Sequence, residues 1–206
     1  MRNYFSTLNS KELKIFKKLN TPKKIQDFLD DVPINFDEGK DTCMSPRVML
    51  QKKKAHCIEG AFFAAAVLWF HGQKPLLLDL KATDDDFDHV VTLFRRGRHW
   101  GAISKTNHAV LRYREPVYRD VRELALSYFH EYFDDRGKKN LRSYSLPFNL
   151  GQFGIEWVTS DKDLWHIADA LDGSPHFSIL NRSQITSLRR AHRVEIKAGK
   201  IVEWKN

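Results

Sequence analysis

Cys57 and His89 have the side chains and the setting for covalent chemistry in this 206-residue chain. Cys57 opens the run Cys-Ile-Glu-Gly-Ala-Phe-Phe-Ala-Ala-Ala-Val-Leu-Trp-Phe-His, which is apolar nearly all round and is stopped by Gly72. Such a run predicts a buried helix with the cysteine at its N-terminus. The free N–H groups and dipole of that end stabilise a thiolate, the form of cysteine that attacks a carbonyl. A base is needed as well. His89 leads the run Val-Val-Thr-Leu-Phe, which predicts a strand soon after the helix. The ring then requires a partner on its other nitrogen to hold its orientation. A tight turn through Arg95-Arg96-Gly97-Arg98, centred between Arg96 and Gly97, would set Ser104 across from His89 on the same face. A serine hydroxyl can accept from an imidazole N–H but brings no charge to an imidazolium.

Several elements must position these side chains. Leu8, Leu13, Ile15, Phe16 and Leu19 among lysines predict a short amphipathic piece within residues 1–21. Thr21-Pro22 and Ser45-Pro46 are helix starts, a capping hydroxyl followed by proline at the first helical position. These predict helices to about residues 31 and 53, with a polar loop over 33–42 between them. After the Cys57 helix, strands are expected at 75–82, 89–94 and 99–104. The spacing of Val121, Leu124, Ala125, Tyr128, Phe129 and Tyr132 predicts a helix over 117–133. Residues 140–155 read as irregular, 160–171 as a short helix capped by Ser160 or Asp161, and 194–204 as a terminal hairpin around Lys197-Ala198-Gly199-Lys200.

The order of a cysteine heading a buried helix, a histidine opening a strand and a tryptophan-bearing strand next resembles the transglutaminase-like superfamily. The residues that carry it are Cys57-Ile-Glu-Gly-Ala, Asp88-His89-Val-Val and Trp100-Gly-Ala-Ile-Ser104, within about residues 45–108. The resemblance implies an α+β, papain-like fold, with the Cys57 helix packed on a central antiparallel sheet. It implies one domain over 1–206, with a core at about 45–135, N-terminal helical additions and a C-terminal helix-plus-hairpin addition. It also implies acyl transfer through a thioester, by a peptidase, amidase or transglutaminase-type transferase. Cys57 would be the nucleophile and His89 the proton carrier. The family's usual aspartate position falls on Ser104, so Asn107 or Asp79 could stand in for the acid. Gln51 or His56 could assist backbone N–H groups at the oxyanion. The expected partner is a peptide, amide or other small acyl substrate, with no cofactor and no metal. The alternative is a catalytically inactive scaffold that binds a protein or an anionic ligand.

Composition sets further limits. Two cysteines make neither a disulfide framework nor a zinc site, and Cys43, in the polar loop, is read as a bystander. The longest apolar stretch, 61–70, is too short for a bilayer core of roughly 30 Å, and no secretory leader is evident, so a cytoplasmic protein without a membrane partner is expected. The net charge of +8 lacks the motifs or interleaved aromatics of a nucleic-acid binder, and nucleic acid is not the expected partner. The run 83–88 fails as a calcium loop, because His89 falls where glycine is required and Arg95 where glutamate is required. A solvated acidic turn is the simpler reading. A magnesium or zinc site joining these aspartates to His89 is a weaker one. The Arg- and Tyr-rich segment 111–119 is expected to be held by salt bridges, with a substrate-facing role as the alternative. Trp69, Trp100, Trp157 and Trp165 are expected in the core.

Overall fold

A computed structural model describes residues 5–36 and 40–205. Four helices come first: α1 (Ser10–Lys18), α2 (Pro22–Asp30), α3 (Pro46–Lys52) and α4 (Cys57–Phe70). The capping chemistry is local. Asn9, Thr21 and Ser45 accept from the first-turn N–H groups of α1, α2 and α3, and proline leads both α2 and α3. Part of the polar loop expected at 33–42, residues 37–39, lies outside the described residues.

The sheet is antiparallel throughout, in the order β4-β3-β2-β1-β5-β7. Its strands are β1 (Leu76–Lys81), β2 (His89–Arg96), β3 (His99–Ile103), β4 (Arg114–Tyr118), β5 (Ser143–Ser145), β6 (Phe148–Asn149) and β7 (His176–Ser178). β6 also pairs with β1. Alternation along the strands separates two cores. Leu77, Val90, Phe94 and Ile103 pack with α1, α2 and α4, where Phe16 meets Phe63 edge-on and Trp69 stacks on Trp157. Leu78, Leu80, Val91, Leu93 and Ala102 face the other way, against α5 (Val121–Tyr128) and Leu141. The expected class is therefore met: an α+β fold with the Cys57 helix packed on a central antiparallel sheet. Among the described residues, no helix is long and apolar enough to cross a membrane.

Several elements differ from expectation. The helix expected at 117–133 starts at Val121, because 114–118 form the edge strand β4, whose alternating exposure suits a sheet margin. The short helix expected at 160–171 is α6 (Trp165–Asp172), with Leu164 rather than Ser160 or Asp161 at its N-cap. Two further helices follow, α7 (Arg182–Thr186) and α8 (Arg193–Gly199). Among the described residues the expected terminal hairpin is thus absent. Val194 and Ile196 lie in α8, and Val202 instead bridges antiparallel to His108. The β2–β3 turn sits at Gly97-Arg98, since Arg96 pairs with His99, one position beyond the expected centre. Gly97 has φ of 61°, the left-handed conformation that a two-residue hairpin turn requires. Trp165 is 43% exposed and so is not a core residue.

Candidate active site

Cys57 is the first residue of α4, after His56 at the N-cap. The following turn is clamped by Glu59, which is fully buried and accepts from Thr42 Oγ1 (2.6 Å), His56 N (2.7 Å) and Met44 N (2.9 Å). Three donors on one buried carboxylate fix how the chain enters the helix. Cys57 is half-buried, whereas Cys43 is fully buried, so Cys43 does not lie in an open polar loop. Burial raises the Cys57 thiol above its ordinary value; the N–H groups of Val90 and Ile58 oppose this, and the Asp79 and Glu59 carboxylates add to it. Burial, reinforced by Glu59, pushes Cys43 up to about 12.

His89 lies at the start of β2 and is 6% exposed. Its Nε2 is 2.8 Å from Ser104 Oγ. That hydroxyl lies 2.6 Å from the Leu111 carbonyl, which can only accept, so the serine hydrogen is directed there. Ser104 must then accept from His89, and the neutral ring carries its proton on Nε2 and its lone pair on Nδ1. The shifted register sets Ser104 diagonal to His89 rather than directly across, still on the same face. Gln26 of α2 holds Ser104 from both sides, accepting from its N–H (2.9 Å) and donating to its carbonyl (2.8 Å). Leu111 has φ of 60°, a left-handed conformation that costs roughly 1–3 kcal/mol in a non-glycine residue. Glu131 pins it by accepting from its N–H (2.8 Å), and Arg114 holds Glu131 (2.6 Å). Burial depresses His89 to about 4, with the Leu111 carbonyl pulling the other way and Arg114 and His108 adding to the depression.

Cys57 and His89 line one cavity of about 570 Å³. Among the described residues, no hydrogen bond joins them directly. The cavity is walled by the 86–88 turn, by Tyr132 and by Ile196, Gly199 and Lys200 near the C-terminus. Tyr132 donates its hydroxyl to the Phe87 carbonyl and so pins that turn. Residues 199–204 run along 107–112. Ala109 N bonds Ile201 O (2.9 Å), and Asn107 makes two side-chain bonds to the Trp204 backbone.

Neither stand-in acid reaches His89. Asn107 lines the cavity but is engaged with Trp204. Asp79 faces His176 Nε2 at 3.2 Å, its buried Oδ1 has no hydrogen-bond partner among the described residues, and burial together with Asp88 pushes its carboxyl up to about 6. Of the two oxyanion candidates, His56 lines the cavity and Gln51 is exposed on α3. Among the described residues, Asp79, Asp88 and Asp172 bring one carboxylate oxygen each within 4.8 Å of one another, a group that does not include His89. Lys81 pairs with Asp172, and His176 Nε2 faces Asp79, so two of these acids already have partners. In the 111–119 segment, Arg112 pairs with Glu203 (3.0 Å) and Arg114 with Glu131, while Tyr113 stacks on Phe94. Those contacts are structural; Leu111 is the member that lines the cavity.

Gln26, Leu111, Tyr132 and the Asp79–His176 pair were not identified from sequence. Gln26 did leave a signal, as a polar residue beside the apolar face formed by Ile25, Phe28 and Leu29. The others depend on contacts that no local pattern encodes. Comparison with protein-family models finds no match, and neither does comparison with curated proteins.

Proposed function

We propose that the chain is a cysteine-dependent acyl-transfer enzyme with a papain-like, transglutaminase-like arrangement. Cys57 is the nucleophile, His89 the base and Ser104 the residue that orients the base. The reading is carried by one observation: the His89–Ser104–Leu111 chain engages Nε2, and so assigns the lone pair to Nδ1, in a site whose cavity also holds a helix-leading cysteine.

In this scheme the thiol passes its proton to His89 Nδ1 as sulfur adds to an amide or ester carbonyl. The carbonyl π electrons move onto oxygen, where N–H groups at the head of α4 receive the charge. The imidazolium then protonates the departing amine or alcohol, leaving a thioester on Cys57. Water or an amine resolves that thioester. Thiol and imidazole start neutral, because burial disfavours both charged forms. Without a carboxylate on His89 the imidazolium is poorly supported, so turnover is expected to be slow and best with activated acyl groups.

Those same shifts favour a second reading, an inactive scaffold that binds a protein or anionic ligand on its basic surface. Electrophile labelling with peptide mapping separates the two. Alkylation of Cys57 with Cys43 spared supports the enzyme, together with loss of labelling in Cys57→Ala. Equal slow labelling of both thiols supports the scaffold.

A further inference from the structure

Residues 193–204 tie together two walls of the cavity that holds Cys57. One wall is the 107–111 segment, the other the turn over 133–135. On the first, His108 Nδ1 donates to the Gly199 carbonyl (2.9 Å), Ala109 N to the Ile201 carbonyl (2.9 Å) and Glu203 N to the Asn107 carbonyl (2.9 Å). Arg112 pairs with Glu203 (3.0 Å). On the second, Lys200 lies 3.4 Å from Asp135, and a Cβ added at Gly199 would lie 3.1 Å from the Phe133 ring. Ile196, Gly199 and Lys200 of this span line the cavity themselves.

Hydrogen bonds and ion pairs hold the span, with little apolar burial beneath them. Every residue of α8 is half-buried or exposed, and Val194 and Ile201 are mostly exposed. A segment held in this way opens locally at far lower cost than a packed core element. The relay that orients His89 has a separate anchor. The Leu111 N–H bonds Glu131, which Arg114 holds, so the carbonyl that fixes Ser104 does not hang on the span. Detachment of the span can therefore leave the base in place.

Resting on the acyl-transfer reading, we infer that residues 193–204 are a displaceable strap that limits the size of the acyl donor reaching Cys57. With the strap closed the cavity is about 570 Å³, a volume that takes a small donor. A donor carried on a longer peptide requires the strap to move.

Two alkylating reagents test this on the intact chain: iodoacetamide, and the same warhead carried on a short peptide. Each is read by peptide mapping as the rate of Cys57 labelling, divided by its rate with free cysteine. With the open strap populated at about 10% or less, the peptide reagent should label wild type at least about 10-fold more slowly than iodoacetamide. Glu203→Pro removes an N–H and a carboxylate that hold the strap, and should bring the ratio toward 1 with the iodoacetamide rate unchanged. A lock gives the opposite test. His108 and Val202 face each other across an antiparallel bridge whose hydrogen bonds run between their neighbours, the close pairing that a disulfide can span. His108→Cys with Val202→Cys, once oxidised, should widen the ratio, and reduction should reverse this. Should Glu203→Pro fail to fold, the disulfide pair decides.

A wild-type ratio near 1, or one that neither variant moves, overturns the strap and leaves acyl transfer standing. Equal slowing of both reagents in Glu203→Pro also overturns it, because the span would then support the base rather than filter size. Failure of iodoacetamide at Cys57 in wild type overturns both, since the closed strap must admit so small a reagent.

Discussion

His89 Nε2 lies 2.8 Å from Ser104 Oγ, and the serine passes its own hydrogen to the Leu111 carbonyl 2.6 Å away. The hydroxyl thereby acts only as an acceptor for the ring, which is the orienting half of what a carboxylate would do. The electrostatic half is missing. Ser104→Ala should therefore leave a buried ring N–H unsatisfied, costing about 1–3 kcal/mol in chemical denaturation. Ser104→Asp should move the His89 titration, followed by NMR, upward from about 4, because an adjacent carboxylate favours the imidazolium. An unmoved titration in Ser104→Asp would separate the two side chains.

The buried ring also sets a pH dependence. His89 binds its proton near pH 4 when folded and near 6.5 when unfolded. Between those values the unfolded chain takes up a proton that the native state refuses, so stability falls as pH drops from 6.5 to 4. At about 1.4 kcal/mol per pH unit the loss approaches roughly 3 kcal/mol. Relative to His89→Gln, the wild type should lose stability across that window and run parallel to the variant above it. Urea denaturation at a series of pH values reads this, and curves parallel throughout would contradict a buried neutral ring.

Gly60, one turn after Cys57, is where α4 passes close against Lys105. A Cβ added there would lie 2.5 Å from Lys105 Cβ. Alanine is the better helix former by about 1 kcal/mol, but overpacking against a Cβ anchored to its own backbone costs about 1–3 kcal/mol. The clash should win. Gly60→Ala is expected to lower Tm by several degrees and to slow Cys57 labelling, because the displacement falls on the cysteine turn. A raised Tm would mean that the two segments are more loosely docked.

Local chemistry made much of this legible. Thr21-Pro22 and Ser45-Pro46 gave helix starts that hold in the fold, because a cap and a fixed proline φ act within one turn. The Cys57 run and the His89 run were readable for the same reason, as was the meeting of His89 with Ser104. The register was not, because Gly97 could serve either central position of a two-residue turn. β4 was missed because Arg114-Glu115-Pro116 reads as polar loop, and an edge strand tolerates such residues. The 194–204 segment was read as a hairpin because Val194, Ile196, Ile201 and Trp204 fit a strand pattern as well as a helix in so short a run. The Asp79–His176 contact joins residues far apart in sequence, and nothing near either one announces it.

The most direct measurement is the rate of Cys57 alkylation by iodoacetamide at neutral pH in wild type and His89→Gln, with Cys43 as the internal control. If the imidazole draws the proton from the thiol, the variant should react about 100-fold more slowly, within the range general-base assistance supplies, while Cys43 stays protected in both. Equal Cys57 rates in the two proteins would show that the ring does not act on the thiol.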